Sequence, residues 1–253
     1  MNQKAEEQEL NNFQLRNIRI LTHLFQNDAI TDEIVDDLRE SELEYFSLYG
    51  KYQLLEEQVN IDEKTKLLKF KQDYLTNIIK TASRIYFGMK SVNYHISLIR
   101  FDIDDFSKFN NTYGHDIGDV VLKKIADVIR SHSRPTDYVI RFGGEEFDVI
   151  LPSTAPEGAA VYLDKIFKCI RQERIMVGGQ EKKITVSAGF THISYQFADR
   201  MVDERKTQDI FQQMQREADD ALYESKYLGK DRYSFFQPEK IDTYKDYRRK
   251  YKK

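Results

Sequence analysis

The sequence predicts an α+β domain, a ferredoxin-like central antiparallel sheet with helices packed on one face, preceded by a helical segment. Three observations carry this. From residue 62 onward, stretches of strand and helix periodicity alternate in the order βαββαβ after one leading helix. Two β-rich runs, "DYVIRF" and "FDVILP", flank Gly143-Gly144-Glu145-Glu146 as the arms of a hairpin would. The first sixty residues contain no proline and space their apolar side chains at helical intervals.

In order along the chain, Leu10, Phe13, Ile18, Leu21 and Phe25 recur at helical spacing, "NDAITDE" makes a break, and Thr31 stands where a second helix needs a cap. In that helix Leu38, Tyr45, Tyr52 and Val59 fall seven apart, with Ser41, Leu48 and Leu55 between them, a heptad seam made imperfect by Ser41 and Gly50. A helix packed on its own domain would satisfy the pattern. A parallel coiled coil joining two chains is preferred, because nothing else in the segment offers a surface to bury the stripe.

"TKLLKFKQDYLTNIIKTASRIYF" is helical in period, and "YHISLIRFD" (94–102) reads as a strand. "GDVVLKKIADVIRSH" (118–132) is an amphipathic helix with Val121, Leu122, Ile125, Val128 and Ile129 inward. After the hairpin, "EGAAVYLDKIFKCI" reads as a helix, "KKITVSAGFTHIS" as a strand, "IFQQMQREADDALYESKYL" as a helix and "DRYSFF" as a closing strand. Residues 195–208 read as a polar loop, and the basic end "YKDYRRKYKK" as a solvated tail. The expected organisation is a helical dimerisation or regulatory segment at 1–60, the α+β domain at 61–237 and the tail at 238–253.

Composition narrows the function classes. A net charge of -3 is too small for bulk attraction to nucleic acid or a membrane, so neither is expected as a partner. Cys169 is the single cysteine, which rules out an intrachain disulfide framework and fits a reducing, cytoplasmic setting. With Phe167 and Ile170 beside it, a packed thiol is expected rather than a nucleophile. No apolar run approaches the roughly 20 residues of a membrane helix, and the start "MNQKAEEQEL" lacks the order of a signal peptide.

The acidic turn carries the chemistry. Asp102 ends the 94–102 strand, and in a sheet of this order that strand neighbours the hairpin, so Asp102 can approach Glu145 or Glu146. Two carboxylates about 4 Å apart repel by roughly 4 kcal/mol at an effective dielectric of 20. A cation relieves that repulsion, and an all-oxygen site favours Mg²⁺ or Mn²⁺, with positions left open for phosphate oxygens. Taken alone, "GGEE" is better read as an exposed acidic turn.

It does not stand alone. "FDIDDFSKFNNTYGHDIGD" (101–119) followed by "RFGGEEF" resembles the GGDEF family of diguanylate cyclases in its GGEEF form, and "DEKTKLL" and "ADDALYESKYLGKDR" extend the resemblance from about Asp62 to Phe236. The resemblance implies a palm-type nucleotidyl cyclase domain that condenses two GTP into cyclic di-GMP and releases two pyrophosphates. It implies that Asp102, the carbonyl of Ile103 and Glu145 hold the metal, that Glu145 takes the proton of the attacking hydroxyl, and that Glu146 is a second ligand or base. Gly143 and Gly144 would let the backbone approach the phosphates. Asn110 and Asp119 would read guanine, Phe106 and Lys108 would also bind the substrate, and Lys226 and Lys230 would reach the phosphates. A site built on paired acceptors should reject ATP.

Several positions depart from the family pattern. Ser107 stands where a lysine is usual and the lysine comes one place later, at Lys108; Lys230 replaces an arginine; and Lys64, Lys69 and Phe70 break the pattern that Asp62, Thr65 and Leu67 keep. None removes an expected metal ligand, so activity is expected. Arg134 and Asp137 in "SRPTDY" match the family's R-x-x-D inhibitory site for cyclic di-GMP, which implies product feedback. Each such domain holds one GTP, so ring closure implies a homodimer, for which the heptads would raise the local concentration of the second half-site. Two other readings stay open: a catalytically weak cyclic di-GMP receptor, and a cyclase making a mixed or adenine product.

Overall fold

The computed structural model describes residues 60–86, 93–197 and 202–251, with isolated positions between 20 and 41. The chain divides into two compact units, Met1–Val59 and Asn60–Lys253. Most of the heptad segment lies outside the described residues. Within it the amide of Ile34 donates to Thr31 Oγ1 at 3.3 Å, the capping bond expected of Thr31.

In the second unit the elements are β1 (Leu68–Lys69), α1 (Tyr74–Tyr86), β2 (Tyr94–Ile103), α2 (Phe106–Tyr113), α3 (His115–Ser131), β3 (Tyr138–Gly143), β4 (Glu146–Pro152) and α4 (Pro156–Gln172). They continue with β5 (Ile175–Val177), β6 (Gln180–Lys182), β7 (Val186–Tyr195), α5 (Glu204–Tyr227), β8 (Tyr233–Phe235), a 3₁₀ turn (Pro238–Lys240) and α6 (Ile241–Tyr251). The main sheet has the order β1-β3-β4-β2-β7-β8. Each of its four inner strands is antiparallel to its inner neighbours, and β1 and β8 add in parallel at the two edges. The ferredoxin-like βαββαβ core therefore forms, extended at both sides.

Helices cover both faces rather than the single face expected. The cause is written in the strands. Ile99, Phe101 and Ile103 of β2 join Phe147, Val149 and Leu151 of β4 in one core with α3 and α4. The alternate positions, Ile96, Leu98, Ile140 and Ile150, join Leu75, Ile78 and Ile79 of α1 and Phe211, Met214 and Ala218 of α5 in another. A strand apolar on both sides must be covered on both sides.

Three local expectations are corrected. Residues 65–73 do not continue α1: the carboxylate of Asp62 accepts from the amide and hydroxyl of Thr65 at 2.8 and 2.7 Å, Lys66 takes φ 58, and Leu68 and Lys69 follow as β1. The end of the expected 195–208 loop is helix, because Asp203 caps α5 by accepting from the amide of Lys206 at 3.1 Å. The basic tail is not a solvated end. Tyr244 of α6 is fully buried against Ala221 and Phe236, Arg248 pairs with Asp219 and Asp220 at 2.7 and 2.8 Å, and Tyr247 stacks on Tyr227 at 4.4 Å. Its charges answer acids on α5, which residue spacing within the tail does not reveal. Among the described residues no helix is long and apolar enough to cross a membrane.

Candidate functional site

β2 and β4 run antiparallel with Asp102 opposite Glu146, and a bulge between Arg141 and Gly143 marks where the hairpin turns. Gly144 takes φ 44, a left-handed conformation that side chains disfavour, and both Gly143 and Gly144 are exposed. The amide of Ile103 faces the carbonyl of Glu145 at 3.4 Å. The acidic turn thus lies against the end of the strand that carries Asp102, as the sequence leads one to expect.

Asp102 is 8% exposed, and its carboxylate meets the Lys226 ammonium at 2.7 Å. Burial raises the Asp102 carboxyl above its ordinary 3.8; Lys226 opposes that rise, while Glu145 and Asp104 reinforce it. Burial likewise raises Glu146 above 4.5, opposed by Arg100 and reinforced by Asp102 and Asp219. This is a crowded acidic site whose ionised state depends on nearby cations. Among the described residues, no three carboxylate, imidazole or thiolate groups converge as a ready-made cage. Asp102 and Glu145 offer hard oxygen donors beside the Ile103 backbone, a donor set that fits a divalent cation with open positions for further oxygen ligands.

The remaining expected residues fall into groups. Lys230 pairs with Asp105 at 2.9 Å, in a turn where Gly229, Lys230 and Asp231 all have positive φ. Phe106 is buried at the start of α2, and a side chain at Gly118 would collide with the Asn110 amide, so Phe106, Asn110 and the first turn of α3 form one tight corner. The Asn110 Oδ1 is buried and finds no partner among the described residues. Asp119, half-exposed on α3, binds the Lys64 ammonium. Lys108 is exposed on α2 and enters no ion pair among the described residues.

Arg134 and Asp137 make a reciprocal turn: the amide of Arg134 donates to Asp137 Oδ2 at 2.7 Å, and the amide of Asp137 to the carbonyl of Arg134 at 3.0 Å. Burial raises the Asp137 carboxyl above 3.8 against that bond, and its Oδ1 is left without a partner among the described residues. Cavities of about 310 and 270 Å³ open beside the turn, one toward Leu67 and Arg130, the other toward Tyr162 and Lys165.

Two features escaped sequence reasoning. Arg100 and Asp148 form a buried bidentate pair, Nε to Oδ1 and Nη2 to Oδ2 both at 2.8 Å, with the guanidinium 3.8 Å over the Phe142 ring. The signal was present as a charged residue inside each of two apolar runs, "SLIRFD" and "FDVIL". Asp104, also buried, accepts from Ser187 at 2.6 Å, Thr185 at 2.7 Å and the amide of Asp231 at 3.1 Å, tying the Lys230 turn to the end of β2.

Comparison with known proteins sets this geometry in a family. Diguanylate cyclase A of Treponema denticola is 38% identical over 137 residues, 54% of this chain and 34% of that protein. Diguanylate cyclase DgcP of Pseudomonas aeruginosa is 39% identical over 131 residues, 52% of this chain and 18% of that protein. The chain therefore spans about a third or less of the length of these curated relatives. Among solved structures, the coiled coil and GGDEF domain of DgcB from Caulobacter crescentus, in complex with c-di-GMP, aligns with a TM-score of 0.61 at 26% identity, over 81% of this chain and 100% of that one. The family described as diguanylate cyclase, GGDEF domain, matches residues 59–232, well over half of the chain, and it is to this family that the chain belongs.

Proposed function

We propose that the chain is a diguanylate cyclase, joining two GTP into cyclic di-GMP with release of two pyrophosphates. The observation that carries this reading is the buried Asp102 carboxylate, held against the Glu145 turn and balanced by an ammonium at 2.7 Å. A group raised in this way by burial tends to mark a working site, and here it lies in a family of nucleotide cyclases.

In this reading Asp102, the Ile103 carbonyl and Glu145 hold Mg²⁺ or Mn²⁺, with Glu146 beside them. The bound ion would stabilise charge on the α-phosphate and acidify the attacking 3′-hydroxyl. Glu145 accepts the hydroxyl proton. Lys226 exchanges its bond to Asp102 for one to a phosphate, and Lys230 exchanges Asp105 in the same way. Exposed Gly143 and Gly144 let the phosphates approach the turn. Asn110, with an acceptor unsatisfied among the described residues, and Asp119 take the guanine edge over Phe106. Lys108, exposed on α2, contacts the triphosphate from outside.

Two copies face each other so that each hydroxyl attacks the other's α-phosphate, and residues 1–60 hold the copies together. Cyclic di-GMP binds at Arg134 and Asp137 and slows the cycle. The setting is the cytoplasm, where GTP is supplied. The test is incubation with GTP, ATP and Mg²⁺ and identification of the products by mass. Cyclic di-GMP from GTP alone supports the reading; binding of cyclic di-GMP without turnover, or an adenine-containing product, overturns it.

A further inference from the structure

Lys64 Nζ lies 2.8 Å from Asp119 Oδ1 and 2.8 Å from Asp119 Oδ2, so one ammonium spans both carboxylate oxygens. Those two oxygens are the pair that the N1–H and exocyclic amine of guanine would need. We propose that Lys64 is a built-in competitor for the guanine-reading carboxylate, and so sets the nucleotide concentration at which the site fills. The inference rests on the reading that Asp119 takes the base.

The geometry makes Lys64 a tethered competitor. Its backbone belongs to a clamped turn: the amide of Asp62 donates to the carbonyl of Leu67 and that of Lys66 to the carbonyl of Asp62, both at 2.8 Å. Asp62 Oδ1 also accepts from Arg141 Nη1 at 2.9 Å, and Arg141 Nη2 in turn donates to the carbonyl of Gly144 at 2.8 Å. The lysine therefore rises from a support fixed to the acidic turn itself. A group held on so short a tether competes at an effective concentration of order millimolar.

Opening the contact is nonetheless cheap. The two side chains are 52% and 32% exposed, so water solvates both ends once they part. An exposed pair of this kind converts to about two- to fivefold in a dissociation constant. Lys64 thus lowers affinity without closing the site. The Asp119 carboxylate has no other hydrogen bond or ion pair among the described residues, so this single contact decides whether its oxygens are open.

The test is calorimetric titration of the full chain, with Mg²⁺, by a GTP analogue carrying a methylene bridge between the α- and β-phosphates. Lys64→Met should bind it about two- to fivefold more tightly than the parent, and Lys64→Arg, which keeps the fork occupied, as the parent does. Equal or weaker binding by Lys64→Met overturns the proposal. Asp119→Ala separates the two layers. If it weakens binding while Lys64→Met is silent, the competitor fails and the base-reading role stands. If Asp119→Ala binds like the parent, the base-reading role fails and takes the competitor with it. In an Asp119→Ala background, Lys64→Met should add nothing.

Discussion

The Lys226 ammonium, in the last turn of α5, lies 2.7 Å from the Asp102 carboxylate near the end of β2, with side chains 13% and 11% exposed. A cation of the protein's own is lodged on the acid expected to hold a divalent ion. Two opposite effects follow on removing it. Lys226→Met frees Asp102 of a competitor, so nucleotide-free chain should bind Mn²⁺ more tightly. In the proposed reaction the same change also deletes the charged contact from Lys226 to the phosphates, worth about 1.5–3 kcal/mol, so turnover of GTP should fall roughly 10- to 100-fold. Metal titration and initial rates, taken together, check this; weaker Mn²⁺ binding with unchanged turnover would count against it.

Glu146 gives a pH-dependent test. Burial chiefly raises its carboxyl above 4.5, and Asp102 and Asp219 add to the rise. A folded value above the unfolded one means that the folded state holds the proton longer. The associated stability is full below 4.5 and is lost as pH rises through the folded value. Glu146→Gln should match the parent in acid and surpass it at pH 8, while losing activity. Melting temperature against pH reads the difference, each kcal/mol moving it by about 2–4 °C in a domain this size. A variant less stable than the parent at pH 8 would refute the sign.

Arg100 and Asp148 lock β2 to β4 between the Asp102 end and the core, with side chains 7% and 0% exposed. Breaking such a pair from one side strands a buried charge. Asp148→Leu alone should cost about 3–5 kcal/mol, whereas replacing both partners, Arg100→Met with Asp148→Leu, should recover most of that loss. Denaturant unfolding of the single and double variants measures the coupling. Additive losses would show that the pair is not the unit holding the strands together.

What the sequence made legible follows from which interactions are local. The β2, β3 and β4 runs and the inward face of α3 declare themselves because alternation and helical spacing are properties of neighbouring residues; Val121, Leu122, Ile125, Val128 and Ile129 are all buried as expected. The acidic turn was legible for the same reason, as a short motif between two strands. The second helical layer was not, because it depends on reading both faces of β2 at once. The Arg100–Asp148 pair joins positions 48 residues apart, and the Asp104 hub joins positions 81 to 127 apart. Lys64 looked like a departure from a motif, and only folding sets it on Asp119, 55 residues away. The tail read as solvated because its acidic partners Asp219 and Asp220 lie on a different helix.

The Arg134–Asp137 turn supplies the last prediction. Arg134 is exposed, whereas the half-buried Asp137 holds the turn by accepting from the Arg134 amide at 2.7 Å. The two residues should therefore fail differently. Arg134→Ala removes a guanidinium able to fork onto guanine O6 and N7, a contact worth about 1–3 kcal/mol, and leaves the turn intact. Inhibition by cyclic di-GMP should weaken by about 5- to 150-fold while the uninhibited rate and the melting temperature hold. Asp137→Ala removes the turn's own bond as well, so it should lose feedback and also lower the melting temperature. Initial rates across a cyclic di-GMP series, with melting curves of the same samples, distinguish the two. Equal inhibition of Arg134→Ala and parent would place feedback elsewhere on the molecule.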